Sequence, residues 1–221
     1  MNRRQFAAGG ASSLSLLAFS GCTAVVSDTE LKAPEPGAPQ LYTVMYGPIP
    51  DERFPIPAVN LNRVPKKFWR RQVDFSGPYK VGTLVVDTRK FYLHLVQERG
   101  KAMRYGVGLG RAGFEWSGRG VIQWKQAWPK WTPPEEMIQR EPELEKWSAR
   151  NGGMPPGLDN PLGARALYIF QDGDDTLYRI HGSPEYWTIG KAVSSGCVRL
   201  MNQDIIDLYS RVPSGSTLVV I

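Results

Sequence analysis

Short runs of β-branched and aromatic residues recur along the chain from Tyr79 to its last residue. The segments YKVGTLVVD and KFYLHLVQ are separated by a short polar turn, a pattern typical of a β-hairpin. Further runs of this kind are AMRYGVGLG, GVIQWKQAW, GARALYIF, TLYRIHG and STLVVI. The pattern predicts a mainly β fold, in which His94 lies on a strand surface opposite the face that carries Leu93 and Leu95.

One long segment, residues 128–161, interrupts this rhythm with Trp, Pro and a short charged helical piece that begins near Pro134. An excursion of this length within a compact domain usually forms a lid or a binding loop. Trp128 and Trp131 either line a substrate groove or anchor the long loop to the core, and the sequence leaves both interpretations open.

An amphipathic helix is predicted a few residues after Cys197, in the segment NQDIIDLYSRV. Asp204 and Asp207 fall opposite its apolar face, and Asn202 is a candidate N-cap. The apolar face comprises Ile205, Ile206, Leu208 and Tyr209.

The first residues are typical of an export signal. Residues 1–21 contain Arg3-Arg4 and a short apolar stretch rich in Gly and Ser, and they resemble a twin-arginine signal. The segment AFSGC resembles a lipoprotein cleavage box, which makes Cys22 a candidate for lipidation and thus for a membrane anchor; the alternative is an ordinary signal peptide with an incidental cysteine. Residues 22–76 are punctuated by proline and predict a tether followed by an extended arm packed on the domain.

Composition narrows the class of protein. With 221 residues, 42% of them hydrophobic, 23 Gly and 18 Pro, the chain after its signal holds one strand-rich domain rather than a helical bundle. Its net charge of +6 suits an anionic partner such as a cell-wall polymer, a nucleic acid or a membrane surface. If Cys22 is lipidated, Cys197 has no cysteine left to pair with, and a free thiol in an oxidising compartment favours a functional role.

The chemistry converges on His181 and Cys197, which lie 16 positions apart in HGSPEYWTIGKAVSSGCVRL. An imidazole within hydrogen-bond reach of a thiol activates it as a nucleophile, and the glycine before the cysteine permits a tight turn whose N–H groups form an oxyanion hole. Spacing alone leaves a catalytic pair and a buried inert thiol equally open.

The segment HGSPEYWTIGKAVSSGCVRLMNQDIIDLY closely resembles the signature of the L,D-transpeptidase family, which has a YkuD-like catalytic domain. The family pattern is His-Gly-Thr/Ser, then Ser/Thr-His-Gly-Cys-Val/Ile-Arg-Leu/Met, then Asn-x-Asp, and the resemblance extends over residues 77–221. It implies a mainly β, sandwich-like catalytic domain with a short helix after the cysteine and a mobile loop over the groove, which we assign to residues 128–161.

The resemblance also implies a role for each residue of the motif. Cys197 would be the acyl-accepting nucleophile and His181 its base. Arg199 would hold the loop or a substrate carboxylate, with the structural role favoured. The oxyanion and turn positions are Gly196, Ser195, Gly182 and Ser183.

Two positions depart from the family pattern. Ser195 stands where many members have His, so substrate orientation by that imidazole is absent or achieved differently. Trp116-Ser117-Gly118 replaces a frequent Pro-Thr-Gly, which puts details of the donor site in doubt.

The resemblance therefore implies a periplasmic enzyme, lipid-anchored in a Gram-negative envelope, that transfers peptidoglycan stem peptides. The expected acceptor is a second stem, a lysine of an envelope lipoprotein or a D-amino acid. Carboxypeptidase activity and a wall-binding lipoprotein with reduced turnover remain alternatives. No cofactor, metal or nucleic-acid partner is expected.

Overall fold

The structure is a computed structural model that describes residues 39–110, 117–194 and 196–221. The predicted signal (residues 1–21), the candidate lipidation site Cys22, and the two motif positions Trp116 and Ser195 lie outside the described residues.

The prediction of a mainly β fold is confirmed: eleven strands of the described chain form one sheet. The strands are β1 (Arg71–Asp74), β2 (Leu84–Asp87), β3 (Tyr92–Gln97), β4 (Lys101–Gly106), β5 (Gly108–Gly110), β6 (Gly118–Ala127), β7 (Arg165–Gln171), β8 (Asp174–Ser183), β9 (Ala192–Ser194), β10 (Val198–Met201) and β11 (Ser216–Val220). Their order across the sheet is β1-β4-β3-β2-β11-β6-β7-β8-β10-β5-β9.

Three α-helices accompany the sheet in the described residues: α1 (Gln40–Met45), α2 (Glu135–Arg140) and α3 (Asn202–Arg211). None of them is long and apolar enough to cross a membrane. Short 3₁₀ helices span Leu61–Arg63, Lys66–Phe68, Pro142–Trp147, Ala149–Asn151 and Tyr186–Thr188.

The sheet curls around one apolar core, which makes the fold sandwich-like. Leu84 and Leu93 come from one half of the sheet and Ile180 and Leu200 from the other, yet all four belong to a single buried cluster. A flat sheet would hold these two halves several strands apart, so their contact requires curvature. We call the side of the sheet that faces this cluster the core face and the opposite side the outer face.

The N-terminal arm, residues 40–76, packs on the outer face. Phe68 of the arm is buried against Gly106 and Gly190, and a Cβ atom at either glycine would collide with it. A second buried cluster forms there and joins the arm to the sheet. Its buried members are Tyr46, Val59, Leu61, Val64, Phe68, Trp69, Ile189 and Met201.

Helix α3 forms where the sequence predicts it, but its two expected polar features differ. Asp204, predicted to lie opposite the apolar face, is fully buried because the arm covers that side of the helix. The Tyr46 hydroxyl donates to it at 3.3 Å, and Arg70 lies 3.6 Å away. Asn202 starts the helix rather than capping it; its side-chain oxygen accepts from the backbone N–H of Ala164, 3.0 Å away.

The excursion at residues 128–161 contains α2 and two of the 3₁₀ helices and is anchored at both ends. The buried Asn160 side chain donates to the carbonyl of Pro129 at 3.1 Å and to that of Pro155 at 3.0 Å. An antiparallel bridge joins Trp131 to Met154. These bonds fold the excursion onto itself.

Candidate active site

The parallel pairing of β8 with β10 brings the two motif halves together. Val198 lies opposite Ile180 and Arg199 opposite His181, so Cys197 continues the register opposite Arg179. Ile180 and Val198 point into the core cluster, and therefore Cys197, Arg179, His181 and Arg199 lie on the outer face. Cys197 and His181 are diagonal neighbours there, with Cα atoms about 8 Å apart by strand geometry, a separation that side chains can bridge.

The His181 ring is held in its neutral form. Its Nδ1 lies 2.5 Å from the carbonyl oxygen of Gly182, so in the neutral ring Nδ1–H donates to that oxygen and Nε2 keeps its lone pair. Burial lowers the pKa of His181 to about 4, and the positive charges of Arg199 and Arg179 act in the same direction. The ring is therefore unprotonated at neutral pH.

Cys197 rests as a thiol. It is a free cysteine, partly exposed, while burial of its sulfur raises the pKa of the thiol above its usual range. The backbone N–H of Arg179 and the charges of Arg179 and Arg199 oppose that rise. A thiol becomes a strong nucleophile only when it loses its proton, and a neutral imidazole is a group that can accept that proton.

An aromatic stack that the sequence analysis missed continues from Cys197 across the outer face. The Arg179 guanidinium lies 4.3 Å from the ring centre of Tyr168, and Trp124 stacks on Tyr168 with ring centres 3.5 Å apart. Strand register places the three side chains in one row, because Arg179 pairs with Tyr168 and Tyr168 with Trp124. Trp124 is 41% exposed, so the outer end of this row is open to a ligand.

The other predicted turn residues occupy distinct positions. Gly196 has φ of 138°, a conformation that favours glycine, directly before the cysteine. Gly182 is directed at α3, where an added Cβ would collide with the Asn202 side chain. The Ser183 hydroxyl accepts from the backbone N–H of Glu185 at 3.1 Å and so shapes the turn after the base.

Arg199 is held by an ion pair: its Nη1 lies 3.1 Å from a carboxylate oxygen of Glu185. One further nitrogen of the guanidinium, Nε, is buried and has no hydrogen-bond partner among the residues that the structure describes. The positive charge stays on the outer face beside His181, where it lowers the pKa of the ring.

Trp128 and Trp131, the two candidate groove residues, sit away from the row that contains Cys197. Trp128 is 4% exposed; its indole N–H donates to Glu52 at 2.8 Å and its ring packs edge-on against Phe54. These contacts tie the start of the excursion to the arm, as expected of an anchoring tryptophan. Trp131 is half-buried at its bridge with Met154.

Among residues 39–110, 117–194 and 196–221, no three His, Cys, Asp or Glu side chains are arranged to hold a metal ion.

Comparison with known proteins agrees with this geometry. Residues 82–221 match the family model described as the YkuD L,D-transpeptidase catalytic domain. The probable L,D-transpeptidase ErfK/SrfK of Escherichia coli is 36% identical over 119 residues, which are 53% of this chain and 36% of that protein. The probable L,D-transpeptidase YbiS of the same organism is 38% identical over 115 residues, 50% of this chain and 34% of that protein. The chain thus spans about a third of the length of these curated relatives.

One solved structure is similar over a larger share of the chain. The crystal structure described as a probable carnitine operon oxidoreductase from Brucella melitensis is 44% identical, covers 73% of this chain and 99% of its own, and has a TM-score of 0.50. Because the family model covers well over half of the chain and the motif residues meet on one sheet face, the chain belongs to the L,D-transpeptidase family with a YkuD catalytic domain.

Proposed function

We propose that this protein is a peptidoglycan L,D-transpeptidase in which Cys197 is the nucleophile and His181 the base. The observation that carries the proposal is the diagonal placement of these two residues on the outer face of β8 and β10, with the His181 lone pair on Nε2 left available by the Nδ1 bond to Gly182. The family match supports the same reaction class.

In the first half-reaction, the thiol proton of Cys197 moves to Nε2 of His181 and the sulfur attacks the carbonyl carbon of the amide between diaminopimelate and the terminal D-alanine. The N–H groups of Gly196 and Cys197 are the proposed donors to the oxyanion. His181 then gives its proton to the departing amine. D-Alanine leaves, and a thioester links Cys197 to the shortened stem.

In the second half-reaction, an amine attacks the thioester carbon, loses a proton to His181 and expels the thiol. A second diaminopimelate yields a 3-3 cross-link, a lysine of an envelope lipoprotein yields an anchored lipoprotein, and a free D-amino acid yields an exchanged stem. Water in the same position makes the protein a carboxypeptidase.

The name of the Brucella relative describes an oxidoreductase. The neutral thiol–imidazole pair, the family model and the two curated relatives all support acyl transfer instead.

We further propose that residues 1–21 direct export to the periplasm, that Cys22 carries a lipid anchor, and that residues 77–221 form the catalytic domain behind a tether at residues 22–76. Mass spectrometry of the protein purified from membranes tests the anchor. A diacylglycerol-modified Cys22 as first residue is expected, and an unmodified N-terminus at any other residue contradicts it.

The decisive experiment incubates the protein with disaccharide-tetrapeptide and each candidate amine in turn, and follows both protein and products by mass spectrometry. We expect loss of D-alanine and a thioester adduct on the Cys197 peptide, both absent from Cys197→Ala. Folded protein that forms neither adduct nor product, yet sediments with peptidoglycan, supports the alternative of a wall-binding lipoprotein.

A further inference from the structure

A basic cleft lies on the outer face where the arm meets the sheet. Its volume is about 620 Å³, within the range of small-ligand sites. The arm forms one wall and the segments around residues 89–92 and 187–191 form the others. Five cationic side chains surround it, and all five are exposed: Arg63, Lys67, Arg89, Lys90 and Lys191.

The charge of the basic cleft is largely unpaired. Lys90 lies 3.2 Å from Asp87, but the other four cations have no ion pair within the described parts of the chain, and no Asp or Glu is among the residues that line the cleft. Arg63 instead lies over the Trp187 ring, 4.2 Å from its centre. Clustered like charges repel one another, so this arrangement favours an anionic ligand that supplies the missing charge.

The floor of the basic cleft is apolar and rigid. A ligand that carries hydrocarbon groups as well as negative charge would therefore suit the cleft. The apolar side chains of the floor are Phe68, Phe91, Tyr92, Trp187 and Ile189. Phe91 is held at φ of 60°, a strained conformation for a bulky residue. Its carbonyl accepts from Val107 N–H, and the Val107 carbonyl accepts from Gly190 N–H, which fixes the floor to Val107, the residue between β4 and β5.

Strand register connects the basic cleft to the catalytic pair. Leu109 of β5 pairs with Ala192, and Gly108 pairs with Arg199. Lys191 therefore lies in the same row as Gly108 and Arg199, two strands or about 10 Å from Arg199. Thr188 packs over Gly108 between them, where an added Cβ would lie 2.9 Å from the Thr188 carbonyl oxygen. A ligand that joins the cleft to Cys197 therefore passes over the turn at Tyr186–Thr188.

We propose that the basic cleft binds the free carboxylates of a peptidoglycan stem peptide, with its aliphatic side chains on the aromatic floor. This rests on the proposed function for the identity of the peptide. The side chain of diaminopimelate is a short hydrocarbon that ends in a carboxylate and an amine, and the other free carboxylates of the stem leave the peptide with a net negative charge. The arm is then part of the substrate site as well as a packing element.

The test compares the ligand affinities of variants of the full chain. All of them carry Cys197→Ala, so that no turnover occurs. The cleft variant adds Arg89→Gln and Lys191→Gln, two exposed side chains without ion pairs. The matched control adds Lys80→Gln and Arg119→Gln, which remove the same charge from exposed positions elsewhere. The ligands are disaccharide-tetrapeptide and the same molecule with its free carboxyl groups converted to amides, with affinity measured by calorimetry.

We expect the control to bind the carboxylate ligand within twofold of the parent and the cleft variant to bind it about tenfold more weakly. Converting the carboxylates of the ligand to amides should weaken its binding to the parent about tenfold. It should change binding to the cleft variant little, because that variant lacks the two positive charges that contact the carboxylates. Equal affinity of cleft variant and control overturns the proposal, as does failure of the parent to bind.

Binding to vesicles that contain phosphatidylglycerol is measured in a second experiment. If the cleft variant loses vesicle binding and keeps tetrapeptide binding, the cleft serves a lipid headgroup and the proposal is overturned. The proposed function is judged separately, by D-alanine release from the protein with Cys197 intact. A protein that releases D-alanine while its cleft variant binds normally refutes the cleft alone, and a protein that binds through the cleft without releasing D-alanine refutes the transpeptidase alone.

Discussion

The chain has two histidines, and they lie five strands apart on the same outer sheet face. Both are buried, and in both burial lowers the pKa to about 4. Their neighbours differ. His181 has a backbone acceptor on Nδ1 and the Cys197 thiol diagonal to it, whereas His94 stacks on Phe75 of the arm, with ring centres 4.6 Å apart.

The comparison separates burial from function. A lowered pKa alone does not identify a catalytic base, because covering either ring with protein produces it. What distinguishes His181 is the Cys197 thiol that lies diagonal to it on the same sheet face. His94, by contrast, is covered by the arm.

Substituting each histidine gives the largest expected difference. We expect His181→Ala to lower kcat/KM for D-alanine release by about two orders of magnitude or more, the usual effect of losing a general base. His94→Phe, which keeps an aromatic ring against Phe75, is expected to leave kcat/KM within about twofold. Equal losses in the two variants, measured on protein of matched folded fraction, would refute the assignment of His181 as the base.

The rate of thiol alkylation measures the resting state of the pair. Because burial raises the pKa of Cys197 and His181 is neutral, the reactive thiolate is a small fraction at pH 7 and grows about tenfold per pH unit. Reaction of the Cys197 peptide with iodoacetamide, followed by mass spectrometry, should therefore accelerate about 100-fold from pH 7 to pH 9. A plateau below pH 8 would instead indicate a resting thiolate–imidazolium pair.

Acid stability tests His94 independently of activity. A ring with pKa about 4 when folded and about 6.5 when unfolded takes up its proton mainly on unfolding, so it weakens the folded state as pH falls below 6.5. Between pH 7.5 and pH 5 the loss is about 2 kcal/mol from this residue. His94→Phe should remove that part of the pH dependence in urea unfolding curves. An unchanged slope of stability against pH would show that His94 is not the titrating group.

The smallest effect concerns Arg179, whose charge acts on Cys197 while its guanidinium is paired with Asp175 at 2.6 Å. Arg179→Gln should raise the pKa of the thiol further and slow alkylation at pH 8 by about tenfold, since a nearby positive charge favours the thiolate. Asp175→Asn removes the opposing negative charge and should accelerate alkylation. Shifts of the same sign in the two variants would contradict an electrostatic role.

Several features of the fold were predictable because they are local. Alternation of side chains in β3 correctly assigned Leu93 and Leu95 to the core and His94 to the opposite face. The helix after Cys197 followed from its apolar period. Its buried Asp204 did not, because the segment that covers it lies more than 130 positions earlier in the chain.

The same distinction between local and long-range features applies to the candidate site. His181 and Cys197 were found from a motif whose elements, from His181 to Asp204, lie within 24 residues of sequence. The row from Arg179 through Tyr168 to Trp124 was not found, because it depends on how three strands pair and where each register shifts. The only signal in the sequence was that Arg179 and His181 are two positions apart on one strand and so share a face.

By itself the sequence determined the strand-rich class, the family motif, and the identity of the nucleophile and base that we propose, since hydrophobic periods and short motifs are properties of neighbouring residues. Only the tertiary structure decided that a curled sheet places Cys197 and His181 on its outer face, that the arm packs on that face, and that basic residues from distant segments surround one cleft. These depend on strand order, register and long-range packing, which bring together residues that no local pattern connects.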